Sequence, residues 1–330
     1  MTEKFFTDIF FPQCVAQNVK TVLHFGDTFD KRKNINIQTL ERSKRFYFDP
    51  LRDRGMRQET VIGNHDTFFK TTNNLNSVDE IIVPEYGNVR TYKRPVEVVI
   101  DGAKFLILPW IPLDPQAMSE TLKAIENSKA EYCVGHLEIN GFHRSRMDTC
   151  KDGLKRSLFD KFKLTLSGHF HHRDLDGDIG YLGSPYGMTW EDYGAPRGFH
   201  FLDVETGELE FIENPYTAFN KITVDETNVE QIKEQLNNLQ GSYIKLNIQK
   251  KSLEVETLLE SLQGMDLADL SITDETVQKT VTLSDVSTDV EDTPSILSKT
   301  IDEIEDLQVN KTKLKELVMS IYNEALTVDA

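Results

Sequence analysis

The sequence predicts an α/β protein in which β-sheets are flanked by helices, with a small α+β module and C-terminal helices. Over residues 5–213, apolar runs of strand length alternate with segments whose apolar residues recur at helical spacing. This alternation, followed by paired strands, is typical of helices layered over sheets. The chain has 330 residues, 38% of them hydrophobic and 28% charged, which is enough for one large domain and a smaller one.

Each element of the main domain follows from residue spacing. Phe5, Phe6, Ile9 and Phe10 have helical spacing, and Pro12 interrupts them. Apolar or β-branched runs predict strands at 21–25, 60–62, 96–100, 105–108, 132–134, 164–167, 180–182, 198–204 and 208–212, and helical spacing predicts helices at 39–51 and 119–127. Gly-containing turns, such as Asp101-Gly102, separate the paired strands.

The pattern divides the chain into four regions. Residues 1–214 form the main domain, and residues 215–283 form the α+β module, with predicted strands at 220–224, 242–248 and 266–273 and helices at 229–239 and 255–263. Residues 284–296 are acidic and lack Lys and Arg, which is typical of a linker. Residues 297–330 are predicted to be helical, and the residues on one face of the second helix are Leu314, Leu317, Val318, Ile321 and Ala325.

Composition excludes several classes of protein. No apolar run is long enough to span a membrane, and the N-terminus lacks the features of a signal peptide. The three cysteines, Cys14, Cys133 and Cys150, are widely spaced, and we expect buried or free thiols in a reducing cytoplasm. A net charge of −17 argues against an autonomous nucleic-acid binder. It leaves room for a nuclease, because divalent cations or a basic partner can reverse the local potential.

Four short motifs follow predicted strands in a fixed order. They are Gly26-Asp27-Thr28-Phe29-Asp30, Gly63-Asn64-His65-Asp66, Gly135-His136 and Gly168-His169-Phe170-His171. In open α/β sheets, ligands bind at the edge where strands end. Carboxylate, amide oxygen and imidazole together suit manganese, iron or zinc in a hydrolytic centre.

The residue types assign roles within such a centre. Asp27 can bridge two ions, and Gly26 lets the backbone come close. Asn64 supplies a neutral oxygen, and His136, His169 and His171 supply nitrogens. In an extended chain, His169 and His171 point the same way while Phe170 enters the core. Two ions roughly 3.5–4 Å apart clamp a phosphate and activate a water.

Three further residues complete the expected site. His65 points away from Asn64 if the segment is extended, and it is the candidate general acid. Asp66 and Asp30 are expected to orient the histidines from behind. Each motif alone is more often a turn or a helix cap, so the hypothesis depends on all four occurring together at strand ends. We expect the remaining histidines to be structural or on the surface: His24, His143, His172 and His200.

These motifs resemble the calcineurin-like metallophosphoesterase superfamily, in particular the SbcD-type DNA repair nucleases. The stretches 24–33, 61–66 and 166–171 resemble the whole superfamily. Gly135-His136-Leu137-Glu138-Ile139-Asn140-Gly141-Phe142 and Pro196-Arg197-Gly198-Phe199 resemble the narrower group of nuclease subunits of T4-type phage recombination endonucleases.

The resemblance implies a layered metallophosphoesterase fold and a two-metal DNA exo/endonuclease. Asp27 would bridge the metals, Asn64, His136 and His169 would complete one site, His171 would serve the other, and His65 would be the catalytic histidine. Mn²⁺ is the implied metal, with Mg²⁺ as the alternative. Residues 215–283 would form a capping domain, and the C-terminal helices would dock an SbcC-type coiled-coil ATPase. The resemblance leaves a homodimer open and places the protein in the cytoplasm, that of a bacterial host if a phage encodes it.

This chain departs from the family's motif pattern at one point. The family opens with a strand that ends in Asp-x-His, and no such motif precedes Gly26. We therefore expect one metal site with all its ligands and a second with only Asp27 and His171. We also expect unpaired backbone groups beside the missing strand. Either the sequence is a fragment, or it is a variant with a docking role and impaired catalysis. A free-standing metallophosphatase or phosphodiesterase is the other alternative.

Overall fold

The computed structural model describes residues 1–145, 148–225, 227–274, 301, 311–315 and 317–319. The chain forms two compact units, Met1–Thr276 and Val277–Ala330. In the second unit, residues 311–315 and 317–319 are helical. The predicted linker at 284–296 and most of the predicted docking segment at 297–330 lie outside the described residues.

The described residues of the first unit contain fourteen strands, seven α-helices and several shorter helical turns. The strands are β1 (Thr21–His24), β2 (Arg57–Val61), β3 (Val89–Tyr92), β4 (Val96–Ile100), β5 (Ala103–Leu108), β6 (Tyr132–Gly135), β7 (Leu164–Ser167), β8 (Asp174–Asp176), β9 (Ile179–Tyr181), β10 (Gly198–Leu202), β11 (Leu209–Glu213), β12 (Phe219–Val224), β13 (Tyr243–Ile248) and β14 (Asp269–Asp274). The α-helices are α1 (Thr2–Lys4), α2 (Phe11–Ala16), α3 (Ile37–Ser43), α4 (Asp49–Asp53), α5 (Pro115–Asn127), α6 (Val229–Leu239) and α7 (Leu253–Gln263). π-Helical turns lie at Phe5–Phe10, Lys44–Phe48 and Val78–Ile82, and 3₁₀ turns at Arg156–Leu158 and Trp190–Asp192.

Two sheets carry the four motifs. The larger has the strand order β4-β5-β6-β7-β9-β8, and its central strands β5, β6, β7 and β9 are parallel. The smaller is parallel throughout, with the order β1-β2-β3. Because parallel strands point the same way, the turns after β1 and β2 share one edge, and so do the turns after β6 and β7.

Alternating side chains explain why the central strands are apolar along their whole length. In β5, Phe105 and Ile107 belong to one hydrophobic cluster, whereas Leu106 and Leu108 belong to another that includes Ile125 of α5. The first cluster also contains Val61 of the smaller sheet. Both faces of β5 are therefore buried, as expected for a central parallel strand.

The N-terminal segment is helical, as its spacing predicts. Phe5, Phe10 and Phe11 are buried and pack with Leu51 and Met56. The neighbouring strand β1 pairs only with β2 among the described strands, so its other edge is open in this sheet. A short separate ribbon is formed by β10 and β11.

Residues 219–274 differ in type from the predicted α+β module. The three strands are parallel and lie in the order β12-β13-β14, with α6 and α7 connecting them. Helices and strands therefore alternate in α/β fashion. Buried Ile244, Leu246 and Leu258 contribute to the separate hydrophobic cluster of this region.

Other expectations from the sequence can be compared directly with the structure. The hairpin at Asp101-Gly102 is present, whereas β3 and β8 were not predicted. Cys14, Cys133 and Cys150 are buried and free. Among the described residues, no helix is both long and apolar enough to cross a membrane.

Candidate metal centre

All four motifs begin at the carboxyl end of a strand. Asp27 follows β1, Asn64 follows β2, His136 follows β6 and His169 follows β7. The hydrophobic cluster shared by the two sheets holds these strands together. Residues far apart in the sequence are thus brought together by sheet packing, at the edge where α/β proteins bind ligands.

Four donor atoms from these loops converge on one point. His136 Nε2 lies 2.8 Å from Asn64 Oδ1, 3.1 Å from His169 Nδ1 and 3.3 Å from Asp27 Oδ2. Asn64 Oδ1 lies 3.0 Å from His169 Nδ1. Asp27, His136 and His169 form a group whose ligand atoms lie within 4.8 Å of one another, as expected for ligands of one ion.

The hydrogen bonds behind the two histidines fix which nitrogens face this point. His136 Nδ1 lies 2.7 Å from the carbonyl oxygen of Phe25, and His169 Nε2 lies 3.2 Å from Glu138 Oε1. Both of these oxygens only accept hydrogen bonds, so the outer nitrogens must carry the protons. The inner nitrogens of the neutral rings then present lone pairs towards the Asn64 and Asp27 oxygens. Four lone pairs facing one another favour a bound proton or cation between them, and this donor set fits a divalent metal.

The backbone around Asp27 is unusual. Asp27 has φ +56° and His169 has φ +86°, a left-handed conformation that is uncommon outside glycine and occurs at functional sites. A Cβ atom on Gly26 would lie 2.6 Å from His136 Nδ1, and one on Gly63 would lie 2.5 Å from the Asp27 nitrogen. Both glycines are therefore required by close packing, as predicted for Gly26.

Asp66 holds the two loops of the smaller sheet together. Its carboxylate is fully buried and accepts backbone N–H groups from Asp27 at 2.9 Å, Thr28 at 2.8 Å and Gly63 at 2.8 Å. Burial and the neighbouring charge of Asp27 raise the pKa of Asp66 to about 6. Asp66 was expected to orient histidines, but the bonds that it makes are to the backbone of the metal-site loops.

The electrostatics of the cluster favour added positive charge. Burial alone would raise the pKa of Asp27, but the charge and hydrogen bond of His136 and the backbone N–H of His65 lower it well below its usual value. Burial alone would lower the pKa of His136, but the Asp27 carboxylate raises it. The same attraction that favours a proton on His136 would favour a metal ion between the two side chains.

His65 is bonded beside the cluster but is not one of its donors. Its backbone N–H donates to Asp27 Oδ1 at 2.7 Å, and its ring Nδ1 donates to the backbone carbonyl of Asp30. Asp30 therefore positions His65 through its main chain, not through the expected carboxylate. Because Nδ1 carries the proton in that bond, Nε2 is the nitrogen that can exchange one.

His171 is not in the four-atom cluster. The segment after β7 is bent at His169, which removes the extended geometry on which the parallel orientation of the two imidazoles depended. Phe170 enters the core as predicted and stacks on Tyr181, with 4.4 Å between the ring centroids. Burial lowers the pKa of His171, and its carbonyl oxygen accepts a hydrogen bond from Arg197.

Glu138 is a residue of the site to which the sequence pattern gave no role. Besides contacting His169, its carboxylate accepts a hydrogen bond from Arg144 at 2.7 Å. The hydrogen bond from His169 lowers the pKa of Glu138 to about 2 against the opposing effect of burial, and the Arg144 hydrogen bond lowers it further. Its position two residues after His136 was the available signal, but the spacing did not say which histidine it would contact.

The other histidines take local roles. His143 Nδ1 lies 2.8 Å from Asp174 Oδ2. Burial lowers the pKa of His24 to about 4, and burial together with Arg173 lowers that of His200 to about 4.

Fold and site together describe an α/β protein with a partly buried cluster of candidate metal-ligand side chains at the ends of parallel strands. No family model matches the chain. The chain is 34% identical over 204 residues to exonuclease subunit 1 of Enterobacteria phage T4, over 62% of this chain and 59% of that protein. The match thus spans less than two thirds of the relative's length, and it shows that the chain has a nuclease relative.

Proposed function

We propose that this protein is the metal-dependent nuclease subunit of an SbcCD-like complex and hydrolyses DNA phosphodiesters with two metal ions. The observation that supports this most directly is the convergence of four donor atoms. Asn64 Oδ1, His169 Nδ1 and Asp27 Oδ2 all lie between 2.8 and 3.3 Å from His136 Nε2. The nuclease relative supports the substrate class. The proposed fold is the layered metallophosphoesterase fold, with residues 215–283 as a capping domain.

The geometry supports the ligand set proposed for one ion, and the resemblance supplies His171 for a second. Asp27 Oδ2, Asn64 Oδ1, His136 Nε2 and His169 Nδ1 would hold one ion, and Asp27 would share its carboxylate with a second ion bound by His171. Divalent ions, Mn²⁺ or Mg²⁺, would supply charge stabilisation at the phosphate and lower the pKa of a water. Asp66 would keep the loops after β1 and β2 at fixed separation through its three backbone hydrogen bonds.

His65 would act as the general acid that protonates the leaving oxygen. The Asp30 carbonyl keeps the proton on Nδ1, so the outward-facing Nε2 would be the atom that donates to the departing 3′ or 5′ oxygen. The bond from the His65 backbone N–H to Asp27 fixes the ring beside the cluster. A leaving oxygen that picks up a proton as it departs avoids accumulating full negative charge.

The acidic charge of the chain fits a nuclease that acts with a partner. A net charge of −17 opposes DNA binding, so additional cationic surface would come from the complex. The relative is itself named as a subunit. We propose an SbcC-type coiled-coil ATPase, docked through residues 297–330, as that partner in the cytoplasm. Deleting residues 295–330 should abolish co-purification with the ATPase while leaving metal binding intact; retained co-purification would refute this docking.

Digestion of linear DNA tests the proposed activity. We expect Mn²⁺-dependent release of nucleotides in the presence of the ATPase, and its loss in Asp27→Ala and His169→Ala. Leu253→Ala, an exposed position on α7, is the matched control and should digest DNA normally. Equal digestion by the wild type and both site variants would reject the assigned centre.

Two other functions make different predictions in the same assay. Hydrolysis of small phosphoesters with DNA left intact would support a free-standing metallophosphatase. ATPase association without any hydrolysis would support a docking subunit with impaired catalysis.

A further inference from the structure

An exposed pair of aromatic side chains immediately follows the metal-site loop. Phe68 is 41% exposed and Phe69 is 50% exposed, and their rings meet edge to face with 4.8 Å between centroids. Leu75, 40% exposed, lies across the same loop. Large aromatic side chains are usually buried, and a cluster of exposed ones marks a binding surface.

The backbone that carries this pair is fixed. The Phe68 N–H donates to the Leu75 carbonyl at 3.0 Å, and Thr67 forms a bridge with Asn76. The Lys70 carbonyl accepts the Leu113 N–H at 2.8 Å. The two rings are therefore presented on a hydrogen-bonded loop, which reduces the entropy lost when a ligand stacks on them.

A cleft of about 310 Å³ is lined by Phe68 of the pair and reaches Asp66 behind the metal-site loops. Phe68, Leu75, Ile35, Arg32 and Lys33 line it. Asp66, whose carboxylate holds the Asp27 and Gly63 loops, also lines it, and Glu80 contributes an acidic group at its exposed side. The cleft is thus continuous with the metal-site loops and has both apolar and cationic walls.

Basic side chains lie along the same cleft and the same loop: Arg32 and Lys33 line the cleft with Phe68, Lys31 precedes Arg32, and Lys70 follows Phe69 in the sequence. Lys31, Lys33 and Lys70 are exposed, and Arg32 is held by Thr67 Oγ1 at 3.0 Å and by the ring of Trp110. Within the described part of the chain, none of these four cations takes part in an ion pair. Four cations outside any ion pair, although Glu80 lies at the same cleft, are notable in a chain of net charge −17, and they match a polyanion.

We propose that Phe68 and Phe69, with the cleft beside them, bind the bases of an unpaired DNA strand next to the metal centre. The inference rests on the proposed nuclease function, because it places the substrate strand at the same site. Bases stack on aromatic faces without regard to sequence, while lysines and arginines follow the phosphates. A purely apolar protein partner would account for the rings but not for the four cations.

Binding in the presence of EDTA separates this proposal from catalysis. A 5′-labelled deoxythymidine strand of about 12 nucleotides is titrated with the full-length chain and followed by fluorescence anisotropy. Phe69→Ala should weaken its Kd by about 5- to 100-fold, and Phe69→Leu should weaken it nearly as much. Phe69→Trp should restore binding, because it restores a stacking face. Leu253→Ala removes a more exposed apolar side chain on α7, 74% exposed against 50% for Phe69, and should bind like the wild type.

The outcomes are distinct. Wild-type affinity for the strand in Phe69→Leu would overturn the stacking proposal. A Phe69→Ala variant that still binds the strand but no longer associates with the ATPase would also overturn it. If the strand binds as described but Mn²⁺ supports no digestion, the proposed hydrolysis fails, and the proposal that Phe68 and Phe69 bind the strand stands. If digestion occurs and Phe69→Ala binds the strand as tightly as the wild type, the stacking proposal fails and the nuclease proposal stands. Circular dichroism confirms that each variant is folded.

Discussion

Glu138 should strengthen metal binding although it is not one of the four donors of the centre. Its carboxylate accepts the Nε2 proton of His169, which directs Nδ1 into the cluster and makes that nitrogen a better donor. Replacing Glu138 with alanine removes the acceptor and leaves the His169 ring free to rotate. Glu138→Gln keeps an oxygen acceptor but removes the charge.

The structure limits the size of the effect. Removing a partner behind a metal-ligating histidine typically lowers affinity 10- to 100-fold. The side chain of Glu138 is 42% exposed and its bond to His169 is 3.2 Å long, so water can replace part of the interaction. We therefore expect the lower end for Glu138→Ala, about tenfold or about 1.4 kcal/mol. Hydrogen bonds to charged groups are roughly twice as strong as neutral ones, so Glu138→Gln should lose about threefold.

Isothermal titration of Mn²⁺ into the metal-free protein measures this effect without any need for activity. Asp152→Asn is the matched control: Asp152 Oδ1 also accepts from Arg144, at 2.7 Å, but Asp152 does not contact His169 in this structure. Its Mn²⁺ affinity should equal that of the wild type. The order of affinity should be wild type, Glu138→Gln, Glu138→Ala.

Two results would refute the reasoning. A Glu138→Ala affinity within twofold of the wild type would show that the bond to His169 does not organise the ligand. An equal loss in Asp152→Asn would show that the effect arises from Arg144 and its loop.

Three further predictions concern the framework of the site. Gly63→Ala should abolish Mn²⁺ binding and lower the Tm, because its Cβ would lie 2.8 Å from His136 Cε1. Gly87→Ala is the control, since a Cβ there meets nothing within 4 Å. An unchanged Tm for Gly63→Ala would contradict the packing. Asp66→Ala should destabilise the fold by about 3 kcal/mol or more in denaturant titrations, because three backbone N–H groups lose their acceptor; a loss under about 1 kcal/mol would show that water replaces it. His200, whose pKa is lowered to about 4 by burial and Arg173, stabilises the protein above pH 6.5, and that contribution is lost as the pH falls through 4. The pKa shift corresponds to at most about 3 kcal/mol of unfolding free energy, and to about 1–2 kcal/mol for a partly exposed ring. His200→Gln removes this contribution, so the Tm should fall less steeply between pH 7 and pH 4.

Strand-end motifs could be read from the sequence because each depends on local chemistry. Apolar runs such as Leu164–Ser167 predicted β7 with its observed ends, and the polar residue after each run was placed at a sheet edge. Elements with weak local patterns were missed: Val89–Tyr92 carries Arg90 and Thr91 among its few residues, yet it completes the smaller sheet. The cross-strand pairing that makes it a strand comes from β2, far from it in sequence.

The sequence alone determined the α/β class of this protein and named five candidate metal ligands. Hydrophobic periodicity and residue chemistry are properties of short segments, so they can be recognised without a fold. Only the tertiary structure decided that Asp27, Asn64, His136 and His169 meet while His171 does not, and that Glu138 and Asp66 support them. Those outcomes depend on the packing of two sheets and on the bend at His169, which arise from contacts between segments distant in the sequence.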